Sequence, residues 1–244
     1  MNPNTTIEKN NNYKYIGSRT GMPFQIKVED SMGNKLTTVN AARSSFDTYH
    51  EEFDEIKDPK LMDYLAREEH TMPYRHSYLS LTIKVPEFVA RQMFRHLVGC
   101  EYTFKDTAWS EKSGRYVPYN EIYIPKEFHY QHKNKKQGAS EEVSAKSDYY
   151  FEKASALISE LNTLYKEMIA DNVAREQARV VMPVGVYTEF RWTASLQAIT
   201  HFVKLRSKPD AQTEIRDVAD VIHNLAKEVF EDGYTILYNH MVKH

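Results

Sequence analysis

Glycine is scarce in this chain: 8 of 244 residues, at positions 17, 21, 33, 99, 114, 138, 185 and 233, roughly half the usual share of about 7%. No two of them stand two or five positions apart, so neither the G-x-G-x-x-G dinucleotide fingerprint nor the phosphate loop G-x-x-x-x-G-K can be written anywhere in the sequence. A Gly-x-Ser-x-Gly nucleophile elbow is excluded as well, because Gly17 and Gly21 enclose Arg19. Cysteine is scarcer still. Cys100 stands alone, which excludes an internal disulfide and suits a cytoplasmic protein. His96 lies four positions before it, but the intervening Gly99 weakens a helix that would pair them as a catalytic dyad. Excess charge of either sign is missing too: 32 Lys plus Arg oppose 34 Asp plus Glu. No global field draws the chain to nucleic acid or to an acidic membrane, so any anion site has to be built locally. The longest apolar stretch, Val180 to Tyr187, contains Pro183 and Gly185 and falls far short of the roughly 20 residues that span a bilayer. No positively charged segment followed by an apolar run opens the chain, and a soluble protein is expected.

What is present is enough apolar material for a sizeable core, with 41% hydrophobic and 12% aromatic residues. Residues 1–13, with Asn2, Asn4, Asn10, Asn11 and Asn12, read as a disordered arm. Residues 14–244 read as a single domain. Phe24 to Val28 alternates apolar and polar residues, and Leu79, Leu81, Ile83 and Val85 alternate with Ser80, Thr82 and Lys84, the period of half-buried strands. Glu87 to Leu97 reads as a helix opened by Pro86, with Gln92 and Arg95 on a shared face. Glu121 to Pro125 reads as a short strand, and the polar stretch 131–148 as an exposed loop. The strongest helical pattern is Ala154, Leu157, Ile158, Leu161, Leu164, Tyr165 and Met168. An extended aromatic segment, Tyr187 to Trp192, precedes two more helices, one marked by Leu196, Ile199 and Val203, the other by Ile215, Val218, Ala219, Ile222, Ala226 and Val229. Strands interrupted irregularly by helices point to a mixed α+β domain rather than a doubly wound sheet.

Histidines such as His129 with His132, or His70 with His76, lack the carboxylate or thiolate partners of a closed metal site, and no metal is expected. Arginines carry more information. Arg91 and Arg95 share one helical segment with His96, Arg179 precedes an apolar run, and Arg206 ends a helix carrying His201. Within Ser110-Glu111-Lys112-Ser113-Gly114-Arg115-Tyr116, a hydroxyl, a glycine and a guanidinium in three consecutive positions make a compact anion cradle of the kind a phosphate monoester needs. The residues by themselves describe an α+β enzyme with an arginine-rich anion site and no side-chain nucleophile.

At these residues the sequence resembles the flavin-dependent thymidylate synthases, the ThyX family. Four blocks in the family's order carry the likeness, over about residues 25 to 125 and 170 to 217. They are Ala41-Ala42-Arg43-Ser44-Ser45-Phe46 with His70-Thr71-Met72-Pro73-Tyr74-Arg75-His76; Phe88 to His96; the segment around Ser110 to Tyr116, which matches N-E-x-S-x-R-Y; and Ala178 to Pro183 with Tyr187-Thr188, Trp192-Thr193 and His201 to Arg206. Four departures stand out. Leu97 replaces the second arginine of R-H-R, Val98 to Trp109 forms an insertion, Ser110 replaces the asparagine, and Met72 and Arg75 replace threonine and glutamate.

The resemblance implies a central, mostly antiparallel sheet with flanking helices, and conversion of dUMP to dTMP. Methylenetetrahydrofolate would supply the carbon, and FAD reduced by NADPH the hydride. A cytoplasmic homotetramer with active sites between subunits is expected, with no nucleic-acid or membrane partner. Arg206 takes the catalytic position beside the pyrimidine. Gln92, Arg95, Glu111, Ser113, Gly114, Arg115 and Arg179 join it for dUMP. Ser45, His70, Met72, Arg95, His96, Glu111, Ser195, Gln197 and His201 are the flavin positions. Alternatives are a related flavin and folate pyrimidine-nucleotide hydroxymethylase, and a non-catalytic nucleotide-binding homologue.

Overall fold

The computed structural model of the protein describes residues 5–8, 12–96, 109–134 and 137–243. Six strands form one sheet: β1 (Thr5–Glu8), β2 (Asn12–Ile16), β3 (Pro23–Met32), β4 (Tyr78–Pro86), β5 (Trp109–Glu111) and, late in the chain, β8 (Tyr187–Ser195), in the spatial order β1-β2-β3-β4-β8-β5. Every neighbouring pair is antiparallel. The helices are α1 (Lys35–Arg43), α2 (Asp58–Arg67), α3 (Glu87–Met93), α4 (Ser147–Ala170), α5 (Arg175–Ala178), α6 (Leu196–Arg206) and α7 (Thr213–Lys243), with a bend in α7 at Glu231. This is the mixed α+β domain that the patterning implies.

Alternation decides which sheet face is covered. Leu79, Leu81, Ile83 and Val85 of β4 point inward and are fully buried, as are Trp192 and Ala194 of β8. Glu189, Arg191 and Thr193 point the other way and are exposed. Ile199, Phe202 and Val203 of α6 and Ile215, Val218 and Ile222 of α7 close over the apolar face. Full burial of each such side chain contributes roughly 1.5–3 kcal/mol. Trp192 is the centre of this layer, stacked on Trp109 at 5.0 Å and edge-on to Phe202 at 5.4 Å. The turn from β8 into α6 is fixed by Ser195, whose hydroxyl accepts a hydrogen bond from the Ala198 amide.

Several expectations change. The asparagine-rich start is not wholly an arm: residues 5–8 and 12–16 pair as an edge hairpin, where Tyr15 packs on Phe24 with ring centroids 5.3 Å apart. The 131–148 stretch holds a second hairpin, β6 (His129–Gln131) with β7 (Ala139–Val143), followed by the start of α4 at Ser147. Gly138, at φ +92°, makes its turn. Glu121 to Pro125 forms only a single bridge, Ile122 to Val186. Pro86 ends β4 and caps α3 from outside, and α3 stops at Met93, so Arg95 lies in a turn past the helix that also carries Gln92. Leu97, Cys100 and the insertion up to Ala108 lie outside the described residues. The described helices include none long and apolar enough to cross a membrane.

Candidate functional site

The expected site residues fall into three groups along β8. Over its middle, Phe202 sits between Trp192 and the His96 ring, which it meets at 5.0 Å. Arg206 ends α6 there. Its Nε donates to His96 Nε2 at 2.7 Å, and an Nη donates to the Gln92 carbonyl at 3.4 Å. A ring nitrogen that accepts is an unprotonated one, so His96 is neutral with its proton on Nδ1. Burial, with the charge of Arg206 and the neighbouring His201, pushes the His96 pKa down to about 4. Burial also lowers the pKa of Arg206, and the Arg95 guanidinium adds to this; a strong base so placed stays charged and is made more receptive to an anion. Gln197 and His201 are half-buried on one face of α6 while Leu196, Ile199 and Val203 pack inward. Burial, followed by Lys204, lowers the pKa of His201 as well.

The second group lies at the Thr188 end. The chain leaves β5 alongside β8, with Glu111 opposite Phe190 and the Lys112 amide donating to the Glu189 carbonyl. Buried Thr188 donates its hydroxyl to Glu111 Oε1 at 2.6 Å, which fixes one carboxylate oxygen and leaves the other open. Ser113 Oγ accepts from both the amide and the Nε of Arg115, at 3.3 and 3.2 Å. Its own O–H therefore remains a donor for a ligand. Gly114 is buried against Tyr119; a Cβ there would come within 2.7 Å of the phenol ring, so ring packing, and not phosphate approach alone, requires the glycine. Burial and Glu87 raise the Tyr119 pKa against the opposing Arg179 guanidinium, which places the exposed Arg179 in this group. Tyr119, Tyr165, Ala178 and Val186 form a separate small core beneath it.

The third group lies at the Ser195 end, roughly 23 Å from Thr188 along β8 at about 3.3 Å per residue. Here α1 and α6 both pack against a helical turn, Met72–His76. Ser45, His70 and Met72 are exposed, Met72 at 63% with Phe46 at 79%, and Arg75 Nε donates to Gln197 Oε1. Open hydroxyl, imidazole and apolar surfaces in one place fit a flat aromatic cofactor. Ser195 differs in exposure: its side chain is fully buried and accepts from the Ala198 amide as the cap of α6.

Two features have no counterpart in the sequence reading. Gln212 accepts from Gln92 Nε2 at 2.6 Å across 120 positions, a pairing that no local spacing signals. A groove of about 1470 Å³ opens beside Gln92 and Arg206, walled by the β6–β7 hairpin, the Arg19–Gly21 turn and the segment from Pro209 to Arg216.

Residues 27–231 match the family described as thymidylate synthase complementing protein. The flavin-dependent thymidylate synthase of Thermotoga neapolitana is 36% identical over 83% of this chain and 85% of its own length. The enzymes of that name from Thermus thermophilus and Treponema denticola are 36% and 34% identical, over 89% and 84% of this chain and 77% and 75% of theirs. A solved structure of the UMP/dUMP methylase PolB from Streptomyces cacaoi, bound with 5-Br dUMP, superposes with a TM-score of 0.74 at 24% identity, covering 90% of this chain and 95% of that one. At that identity the superposition speaks for the fold.

Proposed function

We propose that this chain, which belongs to the thymidylate synthase complementing protein family, the flavin-dependent thymidylate synthases, converts dUMP to dTMP. The observation that carries the reading is Arg206, held by neutral His96 and the Gln92 carbonyl, with no carboxylate partner among the described residues. A preorganised guanidinium of this kind stabilises negative charge as it develops on the pyrimidine and carbon 5 becomes nucleophilic. Methylenetetrahydrofolate is the carbon donor. FAD, once reduced by NADPH, supplies the hydride that completes the methyl group.

The Ser113 hydroxyl, Arg115 and Arg179 bind the nucleotide phosphate, Glu111 orients the nucleotide beside the flavin, and Ser45, His70, Met72, Gln197 and His201 line the flavin. Gln92 and Arg95 extend the nucleotide site at its centre. The roughly 23 Å along β8 between Thr188 and Ser195 favours active sites completed by neighbouring subunits of a homotetramer, each chain supplying the nucleotide end of one site and the flavin end of another.

Incubation with dUMP, methylenetetrahydrofolate, FAD and NADPH tests the reading by product mass. A methylated nucleotide is expected. A hydroxymethyl product would make the chain a hydroxymethylase, and an unchanged dUMP pool beside a colourless protein would make it a binding homologue.

A further inference from the structure

Among the groove-lining residues, Arg216 has no role in the site as described. Its Nε is buried and has no hydrogen-bond partner. A desolvated N–H left unmade is costly, and a guanidinium meets that cost best with an oxyanion. The carboxylates around the groove do not serve it. Asp217 and Asp220 hold Arg19, Glu127 faces His129, Asp210 accepts from Gln137 and Glu214 from Thr213, while Glu141 and Glu142 of the β6–β7 hairpin line the groove without an ion pair to Arg216. Lys126, exposed and lining the same groove, is likewise in no ion pair among the described residues.

Position narrows the ligand. The Arg216 amide donates to the carbonyl of Gln212, the residue just before α7, and both side chains line the groove. Gln212 in turn holds Gln92. Arg216 therefore lines the same groove as Gln92 and Arg206, on the segment that carries Gln212. The nucleotide's own phosphate belongs to Ser113, Arg115 and Arg179 at the Thr188 end. An oxyanion reaching Arg216 arrives on another molecule entering through the groove.

We propose that Arg216, with Lys126, forms an anion subsite for a co-substrate of the reaction, taking an oxyanion remote from the reacting atoms: the 2′-phosphate of NADPH or the glutamate carboxylates of the folate. This rests on the reading of the chain as a thymidylate synthase.

Arg216→Ala and Arg216→Lys distinguish the sources in steady-state dTMP assays comparing NADPH with NADH, and monoglutamyl with triglutamyl methylenetetrahydrofolate. In Arg216→Ala, KM for one co-substrate rises about tenfold, far more than any change in kcat, and Arg216→Lys recovers part of the loss. Loss of the preference for NADPH over NADH assigns the phosphate; loss of the preference for the triglutamyl folate assigns the carboxylates. Unchanged KM values for both, or a fall in kcat with unchanged KM, overturns the subsite. Failure of the unaltered protein to make dTMP would refute the functional reading instead. Binding of NADPH and triglutamyl folate to the unaltered protein and Arg216→Ala, followed by calorimetry, still decides the subsite in that case.

Discussion

The two ends of β8 are built differently. At the Thr188 end the functional side chains are already fixed by neighbours: Glu111 by Thr188, Ser113 by Arg115, Gly114 by the Tyr119 ring. At the Ser195 end Ser45, His70 and Met72 lie open on the surface, and the groups that are fixed, Ser195 and Gln197, are tied to α6 and to Arg75. One chain thus presents a preorganised cluster of carboxylate, hydroxyl and guanidinium groups at one end and an open surface of hydroxyl, imidazole and apolar groups at the other. Preorganisation lowers the ordering cost of binding a small charged ligand. A large flat ligand gains most from uncovered surface.

The centre between the two ends gives the largest expected effect. Arg206→Ala is expected to lower kcat for dTMP on the order of 10²- to 10³-fold, as for loss of a transition-state donor, with flavin still bound by absorbance. A variant within twofold of the unaltered rate would move the catalytic charge elsewhere. Gly114→Ala forces a methyl into the Tyr119 ring, and overpacking of that kind costs about 1–3 kcal/mol. The loss should appear in dUMP affinity by calorimetry while flavin content stays constant; equal loss of both would erase the distinction between the ends. Thr188→Val removes the donor to Glu111 and should cost about 1 kcal/mol of dUMP binding, whereas Thr188→Ser keeps it. At the open end, Met72→Ala should change stability by no more than about 0.5 kcal/mol yet reduce retained flavin on gel filtration.

The pH profile tests the centre of β8 independently of the variants. His96 is neutral in the folded chain down to about pH 4, whereas an unfolded histidine titrates near 6.5. Between these values the unfolded state holds more protons, so the stability linked to neutral His96 is complete above about pH 6.5, falls as pH drops towards 4, and levels off below it. Melting temperatures across that range should flatten in His96→Asn relative to the unaltered chain. The His96 ring should titrate near pH 4 by NMR; an inflection near 6.5 would mean that Arg206 lacks its acceptor.

Much of this is legible in the residue order. Period-two alternation locates β4 and β8, and helical periodicity locates α6 and α7, because each pattern reflects one face turned to a core. The limits are equally physical. Residues 147–170 hold the clearest apolar stripe in the sequence, yet α4 buries only Ser147 and Tyr165 in this chain; a stripe shows that a face is apolar, not what covers it. The strand pairs Thr5–Glu8 with Asn12–Ile16 and His129–Gln131 with Ala139–Val143 read as irregular because their composition is polar, although Tyr13-Lys14-Tyr15 alternates and Gly138 marks a turn. Glu111, Ser113 and Arg115 stand out as a group because they are neighbours in sequence. The Arg206 contact with His96 spans 110 positions, and that of Gln92 with Gln212 spans 120.

Residue types and their local spacing settle which chemistry is available: an arginine-rich anion cradle, no nucleophile, no glycine-rich nucleotide loop, and the family motifs. Those properties belong to residues within a turn or two of one another, so no long-range geometry is needed to see them. The folded chain alone establishes that Arg206 is held by a neutral histidine, that the Ser195 hydroxyl caps α6, that the Glu111–Arg115 segment and the Met72–His76 turn lie at opposite ends of one strand, and that the buried Arg216 Nε has no hydrogen-bond partner. Each depends on distances between segments far apart in the chain, which are set by sheet register and core packing.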